Sequence, residues 1–247
     1  PLSSSQDVAR SLENKRNFRK MCSDEGLPVV PSATVPVKSL LENPDCVPVG
    51  WPRIVQTARG FGGKRTWLWE AGTPLPLSKR FLRHEVLVSP FIKGRTWTIN
   101  AVVREGQVLA GSPMLQIAGD RRLHRLPFAS SGVAIVSQCS EAISDELLKL
   151  AQAVGKMASK QGFIGFYGID AIETDSGLKL IEMNARLTAT LTLSTLSELA
   201  AGQLPLTVAH LLACMGSELF DKWVEHCDGV SRGKAGGHLI LRSSEHD

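Results

Sequence analysis

Apolar residues return at helical spacing in two places along the chain. Phe18, Met21 and Cys22 share one face at i, i+3, i+4, which predicts a helix from Asn14 to about Glu25. Asn14 is a good N-cap, and Gly26 followed by Pro28 ends it. Leu147, Leu150, Ala151, Val154 and Met157 form a second stripe over Glu146 to Lys160. A shorter helix is expected over 3–12, opened by a capping box, Ser3-x-x-Gln6. Short β-rich runs predict strands at 53–57, 66–69, 85–89, 96–103 and 107–111, the last two joined at Glu105-Gly106. Arg59 to Lys64 reads as a glycine-rich turn, and 112–130 as irregular and basic. Two strands follow the long helix, then a helical region to about Val224 and a strand-like Leu239-Ile240-Leu241. Interspersed helices and strands with frequent hairpins indicate an α+β fold in two lobes, not a doubly wound sheet.

Composition narrows the class. With 247 residues, 43% hydrophobic and 21% charged, the chain is neither disordered nor fibrous. No apolar run approaches a membrane span, so a membrane partner is not expected. The net charge of +4 is too mild to demand nucleic acid. The one dense basic run, Arg121 to Arg125, reads as a solvated loop or a contact to an anionic substrate, with Arg122, His124 and Arg125 as weak acceptor-side candidates. Five scattered cysteines without a C-x-x-C pair read as reduced thiols, the expectation for a cytoplasmic protein. The start at Pro1 and the end at Asp247 read as those of a fragment.

The chemistry concentrates between Gly168 and Arg186. Asp175-Ser176-Gly177 suits a three-residue hairpin loop with Gly at the left-handed position. That register sets Thr174 against Leu178, Glu173 against Lys179 and Asp170 against Glu182. Asn184 lies two residues on and points to the same face, along with Ile172, Leu178 and Leu180. Opposed like charges destabilise a hairpin, whereas two carboxylates and an amide oxygen suit a hard divalent cation. The plain alternative is a solvated face that tolerates the repulsion. The glycine-rich turn is either a phosphate cradle or an ordinary hairpin tip, since its spacing matches no P-loop. Lys15, taken alone, reads as a solvated cation.

In their order along the chain these pieces resemble the ATP-grasp superfamily of carboxylate–amine ligases. This is the superfamily of D-alanine–D-alanine ligase, biotin carboxylase and the synthetase halves of carbamoyl-phosphate synthetase. The pieces are Asn14-Lys15 opening a helix, the strand and glycine loop of Trp51 to Lys64, the hinge-like Val86 to Gly94, and the Gly-Ile-Asp … Glu-x-Asn-x-Arg hairpin. The resemblance covers about Asn14 to Leu199. It implies two lobes clasping a nucleotide, with an N-terminal domain of the relatives missing here. Residues 1–12 would be a linker helix, 13–90 the small lobe, 91–230 the large lobe and 231–247 a C-terminal strand and tail.

The implied activity is ATP-dependent formation of an acyl phosphate from a carboxylate, followed by attack of an amine or similar nucleophile. The implied cofactors are ATP and Mg²⁺, one ion or two, with Mn²⁺ as an alternative. Asp170, Glu182 and Asn184 would hold the metal, and Lys15 would reach the phosphates. Gly60, Gly62, Gly63 and Lys64 would close over them. Ser89, Phe91 and Ile92 would meet the adenine, and Arg186 would neutralise the substrate carboxylate or the acyl phosphate. The implied partners are small molecules, with a homodimer as the assembly relatives often form. Departures fall at Gln56, where relatives carry a phosphate-binding lysine, at Ser89, where they carry an acid, and at Thr96, where a glutamate holds ribose. Lys64 or Arg65 is the expected compensation for Gln56. The alternative function is a degenerate module with a nucleotide-binding, regulatory or structural role.

Overall fold

A computed structural model describes residues 4–60, 62–136 and 139–240. Two antiparallel sheets organise it. In the smaller, β1 (Ala33–Pro36), β2 (Arg53–Gln56), β3 (Thr66–Trp69) and β4 (Glu85–Pro90) lie in the order β1-β4-β2-β3. Val37, Leu40, Val55, Trp69, Val86 and Val88 form its core. Residues 91–95 then carry the chain to the larger sheet. Its strands are β5 (Thr96–Arg104), β6 (Gln107–Ala110), β7 (Met114–Ala118), β8 (Ser130–Ile135), β9 (Gly165–Thr174), β10 (Gly177–Asn184) and β11 (Gly236–Leu239). Their order is β10-β9-β5-β7-β8-β11, with β6 hairpinned onto β5.

The helices cover the larger sheet. Helix α1 (Gln6–Leu12) is capped by Ser5, whose Oγ accepts from the Val8 amide, so the cap is not the expected Ser3, which lies outside the described residues. Helix α2 (Lys15–Asp24) starts as expected, with Asn14 Oδ1 accepting from the amides of Arg16 and Asn17. Its Phe18 and Cys22 are fully buried in the core of the larger sheet, although the sequence assigned this helix to the small lobe. Helix α3 (Val37–Glu42) packs in the smaller lobe. Helix α4 (Glu141–Lys160) begins five residues before the expected start, because Ser140 caps it there. Its stripe of Leu147, Leu150, Ala151, Val154 and Met157 joins Ile99, Ala101, Ile169 and Leu180 in that core. Helices α5 (Leu191–Ala200), α6 (Leu206–Cys214) and α7 (Glu218–His226) follow, and the inner sides of α6 and α7 cover Val102, Leu109 and Phe166 on the opposite sheet face.

That second face changes character along the strands. Phe166 and Val102 lie under α6. Next comes Asn100, buried among Thr188, Thr190 and Ser194. Beyond it the paired positions Thr98–Asp170 and Thr96–Ile172 reach the cleft between the lobes.

Two sequence expectations change here. The stretch 112–130 is not all irregular: it contains β7, and β8 starts at Ser130. The β9–β10 hairpin turns on two residues, because Thr174 pairs with Gly177, not on the three expected. Leu178 therefore faces Glu173, and Lys179 faces Ile172. Glu173 pairs instead with Arg95, at 2.9 and 3.0 Å, and accepts from Trp97 Nε1. A bulge at Ile181 then adds one residue to β10 and brings Glu182 opposite Asp170. The expected pair forms, but through a different route. The bulge also separates the faces: Leu178 and Leu180 enter the core, and Ile181 and Glu182 line the cleft.

Glu198 in α5 is 1% exposed and accepts from the Leu206 amide at 2.9 Å, while its Oε1 has no partner. Burial raises its carboxyl from 4.5 to about 7, against the opposing effect of that amide. The folded chain thus keeps a proton that the unfolded chain releases. Its stabilising contribution is full below about pH 4.5 and is lost as pH rises to about 7. Glu198→Gln is expected to match the wild type at pH 5 and to be more stable at pH 8, by up to roughly 3 kcal/mol. Urea unfolding at the two pH values checks this, and a variant equally destabilised at both would refute it.

Candidate functional site

The cleft between the two sheets holds a cavity of about 410 Å³. A smaller one of about 340 Å³ adjoins it, and Lys15, Gly60 and Glu182 line both. Asp170 and Glu182 stand opposite each other on β9 and β10. Burial first, and the Glu182 charge second, hold the Asp170 carboxyl above the usual carboxylate range, with Lys15 opposing. Gln116 Nε2 donates to Asp170 Oδ1 at 2.8 Å from β7, across β5. Asn184 Nδ2 sits 3.5 Å from Asp170 Oδ2.

Lys15 answers the repulsion between the two acids. As the first residue of α2 it is only 6% exposed, and its Nζ lies 2.5 Å from Glu182 Oε2. The same Nζ donates to the Gly60 carbonyl at 3.2 Å, and the Lys15 amide donates to the Ala58 carbonyl. One side chain thus joins the larger sheet to the glycine-rich loop of the smaller one. One turn on, Arg19 also faces the cleft. Its Nη2 donates to Gln56 Oε1 at 2.7 Å and its Nε to the Ile181 carbonyl at 3.3 Å.

The loop after β2 folds back on itself, with Thr57 donating to the Arg59 carbonyl and its amide to the Arg65 carbonyl. Phe61 lies outside the described residues. Gly62 and Gly63 both have positive φ. At Gly63 a Cβ would come within 2.4 Å of the Phe128 backbone, so the loop tip rests directly on the larger lobe.

Every residue expected to meet nucleotide, metal or substrate carboxylate borders one of the two cavities. Gln56, Gly62, Gly63, Lys64, Ser89, Phe91, Ile92, Thr96 and Asp170 line the larger, and Asn184 and Arg186 the smaller. Arg186 pairs with Glu13 at 3.0 Å and donates to Asn184 Oδ1 at 2.8 Å, so the amide oxygen expected to meet a metal is engaged. Arg122 is paired with Asp120, and neither it, His124 nor Arg125 lines either of these two cavities.

Sequence reasoning missed Arg19, Gln116, Ile54 and Ile181, all of which line the larger cavity. Arg19 carried a signal, because Lys15 and Arg19 at i, i+4 share a helix face. Gln116 carried none while 112–130 was read as loop. Among the described residues no three His, Cys, Asp or Glu side chains cluster to hold a metal, so any cation here relies on the amide or on a ligand. No described helix is long and apolar enough to cross a membrane.

A family model for the ATP-grasp domain matches residues 12–190. No curated protein sequence matches the chain. Among solved structures, the biotin carboxylase–β,γ-ATP complex from Campylobacter jejuni is similar with a TM-score of 0.67 and 17% identity, over 87% of this chain and 48% of that one. Carboxyaminoimidazole ribonucleotide synthase from Aspergillus clavatus, complexed with ATP, gives 0.65 and 16%, over 87% and 54%. The biotin carboxylase domain of Hydrogenobacter thermophilus 2-oxoglutarate carboxylase, with MgADP, ADP and bicarbonate, gives 0.65 and 15%, over 87% and 48%. The likeness is one of fold, and the chain spans about half the length of these proteins.

Gly63→Ala forces a side chain onto backbone at a positive φ, and is expected to lift the loop from the larger lobe. Tryptic cleavage after Arg59, Lys64 and Arg65 should then run at least about fivefold faster, as local opening becomes easier. Unchanged cleavage would mean that the loop does not depend on that contact.

Proposed function

The chain belongs to the ATP-grasp family, and we propose that it uses ATP to activate a carboxylate for attack by an amine or a comparable nucleophile. The carboxylate takes the γ-phosphoryl group as an acyl phosphate and ADP leaves. The nucleophile then displaces phosphate and forms the new bond. The observation that carries this reading is the opposition of Asp170 and Glu182, with Lys15 between them and the glycine loop, where the two cavities meet.

Two carboxylates and an amide, with no thiolate or imidazole, make a donor set for a hard divalent cation. Asp170, Glu182 and Asn184 would hold Mg²⁺, one ion or two, or Mn²⁺, and Asn184 joins once Arg186 releases its Oδ1. The MgADP in the Hydrogenobacter thermophilus carboxylase domain supports the choice. The bound cation supplies charge neutralisation to the phosphates. The chain's own residues do the positioning. Ile54, Phe91, Ile92, Ile172 and Ile181 offer an apolar slot for the base, with Ser89 to Ile92 supplying backbone groups at its edge. The amides of Gly62 to Lys64 fit the phosphates. Lys15 is placed to exchange Glu182 for a phosphoryl oxygen. Arg59 and Arg186 line the smaller cavity and suit the substrate carboxylate, which places its oxygens beside the shared wall.

The second reading, a module that binds nucleotide for a regulatory or structural role without turnover, is favoured by Gln56, a neutral amide facing the larger cavity.

Calorimetric titration with a non-hydrolysable ATP analogue tests both. The folded wild type is expected to bind with Mg²⁺ and to weaken at least about tenfold without it, and the Asp170→Ala, Glu182→Ala double variant to lose the metal dependence. ADP release that requires both a carboxylate and an amine supports the ligase. Binding without release for any pair supports the second reading. A folded wild type that binds no nucleotide refutes both.

A further inference from the structure

Arg19 stands out among the charged groups of the cleft. It is 5% exposed and lines the larger cavity. Two of its three nitrogens are held by neutral oxygens, Gln56 Oε1 and the Ile181 carbonyl. The third, Nη1, is buried without a hydrogen-bond partner. No carboxylate hydrogen-bonds it, and Glu182, the acid whose charge it feels, is paired with Lys15. Burial without an anionic partner is costly, and it lowers the guanidinium from 12.5 to about 10. Phe18 and Cys22 anchor α2 in the core, so the helix cannot roll the side chain out to solvent. A buried cation with a spare donor, held in place beside a cavity large enough for a ligand, calls for an anionic oxygen.

We infer that Arg19 binds the phosphate chain of the nucleotide, with Gln56 as the positioning residue that holds its guanidinium. The inference rests on the nucleotide reading above and identifies which residue of this chain supplies a cation beside Gln56. Lys15 and Arg19 lie one helical turn apart on the same face, so α2 presents two cations to one ligand. Lys15 is engaged with Glu182 and Gly60, at the wall shared with the smaller cavity. Arg19 is bonded to Gln56 on β2, away from that shared wall. Gln56 is the fitting partner for this task, because its amide oxygen orients the fork without neutralising its charge. An acid in its place would quench the cation.

The test measures binding of the ATP analogue, ADP and adenosine, each with Mg²⁺, to the full chain and three variants. Arg19→Gln is expected to weaken the analogue and ADP at least about tenfold, as loss of a charge-assisted hydrogen bond requires, and adenosine less than about twofold. Exchanging the charge, Arg19→Gln with Gln56→Lys, should return the analogue to within about threefold of the wild type. Gln56→Leu leaves the guanidinium but frees it, and should weaken the analogue and ADP without moving adenosine. This variant carries the test if Arg19→Gln does not fold. The inference is overturned if folded Arg19→Gln binds the analogue as tightly as the wild type. It is also overturned if adenosine weakens as much as ADP, or if Gln56→Leu changes nothing. A wild type that binds adenosine and ADP equally well refutes phosphate recognition by Arg19 but not base binding in the cleft. A wild type that binds none of the three refutes the nucleotide reading itself, and the inference with it.

Discussion

Two carboxylates on adjacent strands, Asp170 and Glu182, repel each other where the lobes meet, and much of the surrounding architecture answers that repulsion. Lys15 reaches Glu182 only because Asn14 starts α2 where it does and Phe18 and Cys22 root the helix in the larger core. Gln116 reaches Asp170 only because β7 lies beside β5. The bulge at Ile181 is the geometric condition for all of this. Were β10 to run regularly through Ile181, Glu182 would follow Leu178 and Leu180 into the apolar core, at the full desolvation cost of a charge.

What could be read in the sequence follows the strength of each local signal. Helix α2 was legible because an N-cap, an apolar stripe and a glycine stop agree with one another. The Asp170–Glu182 pair was legible for an incomplete reason. A three-residue turn and a two-residue turn followed by a bulge place the same two side chains together, and the only trace of the bulge in β10 is a change of apolar phase from Leu178 and Leu180 to Met183 and Ala185. The cost of that ambiguity fell on Glu173, whose partner proved to be Arg95, just before β5, and not Lys179. Strand β7 was invisible because Gln116 interrupts its apolar pattern, and it does so because that position faces the cleft. Arg19 was less visible than its neighbours in α2, because it lies beside the apolar stripe of Phe18 and Cys22 and only its i, i+4 spacing from Lys15 marks that flank as a second buried face.

The cleft also separates tasks by the body that carries them. Asp170, Glu182, Asn184 and Arg186 belong to the larger lobe, on β10 and β9 or just beyond. Gln56 and the glycine loop belong to the smaller sheet. A divalent cation would therefore be bound on the larger lobe alone, with the phosphate cover supplied from the smaller and the substrate carboxylate shared between Arg186 and Arg59. The acids need fixed separation to hold charge, and the cover needs freedom to admit a nucleotide.

Helix α2 spans that division. Its core face is fixed to the larger lobe, yet Lys15 and Arg19 donate to Gly60 and Gln56 of the smaller one. Gly63 adds direct backbone contact between loop and larger lobe. Helix and loop thus tie the two bodies together at several points, Arg16–Glu85 among them. A latched cleft changes the kinetics of capture. A ligand of this cleft would have to wait for those ties to part, so its arrival rate would follow the opening of the protein more than diffusion. The same ties would lengthen the stay of whatever had entered.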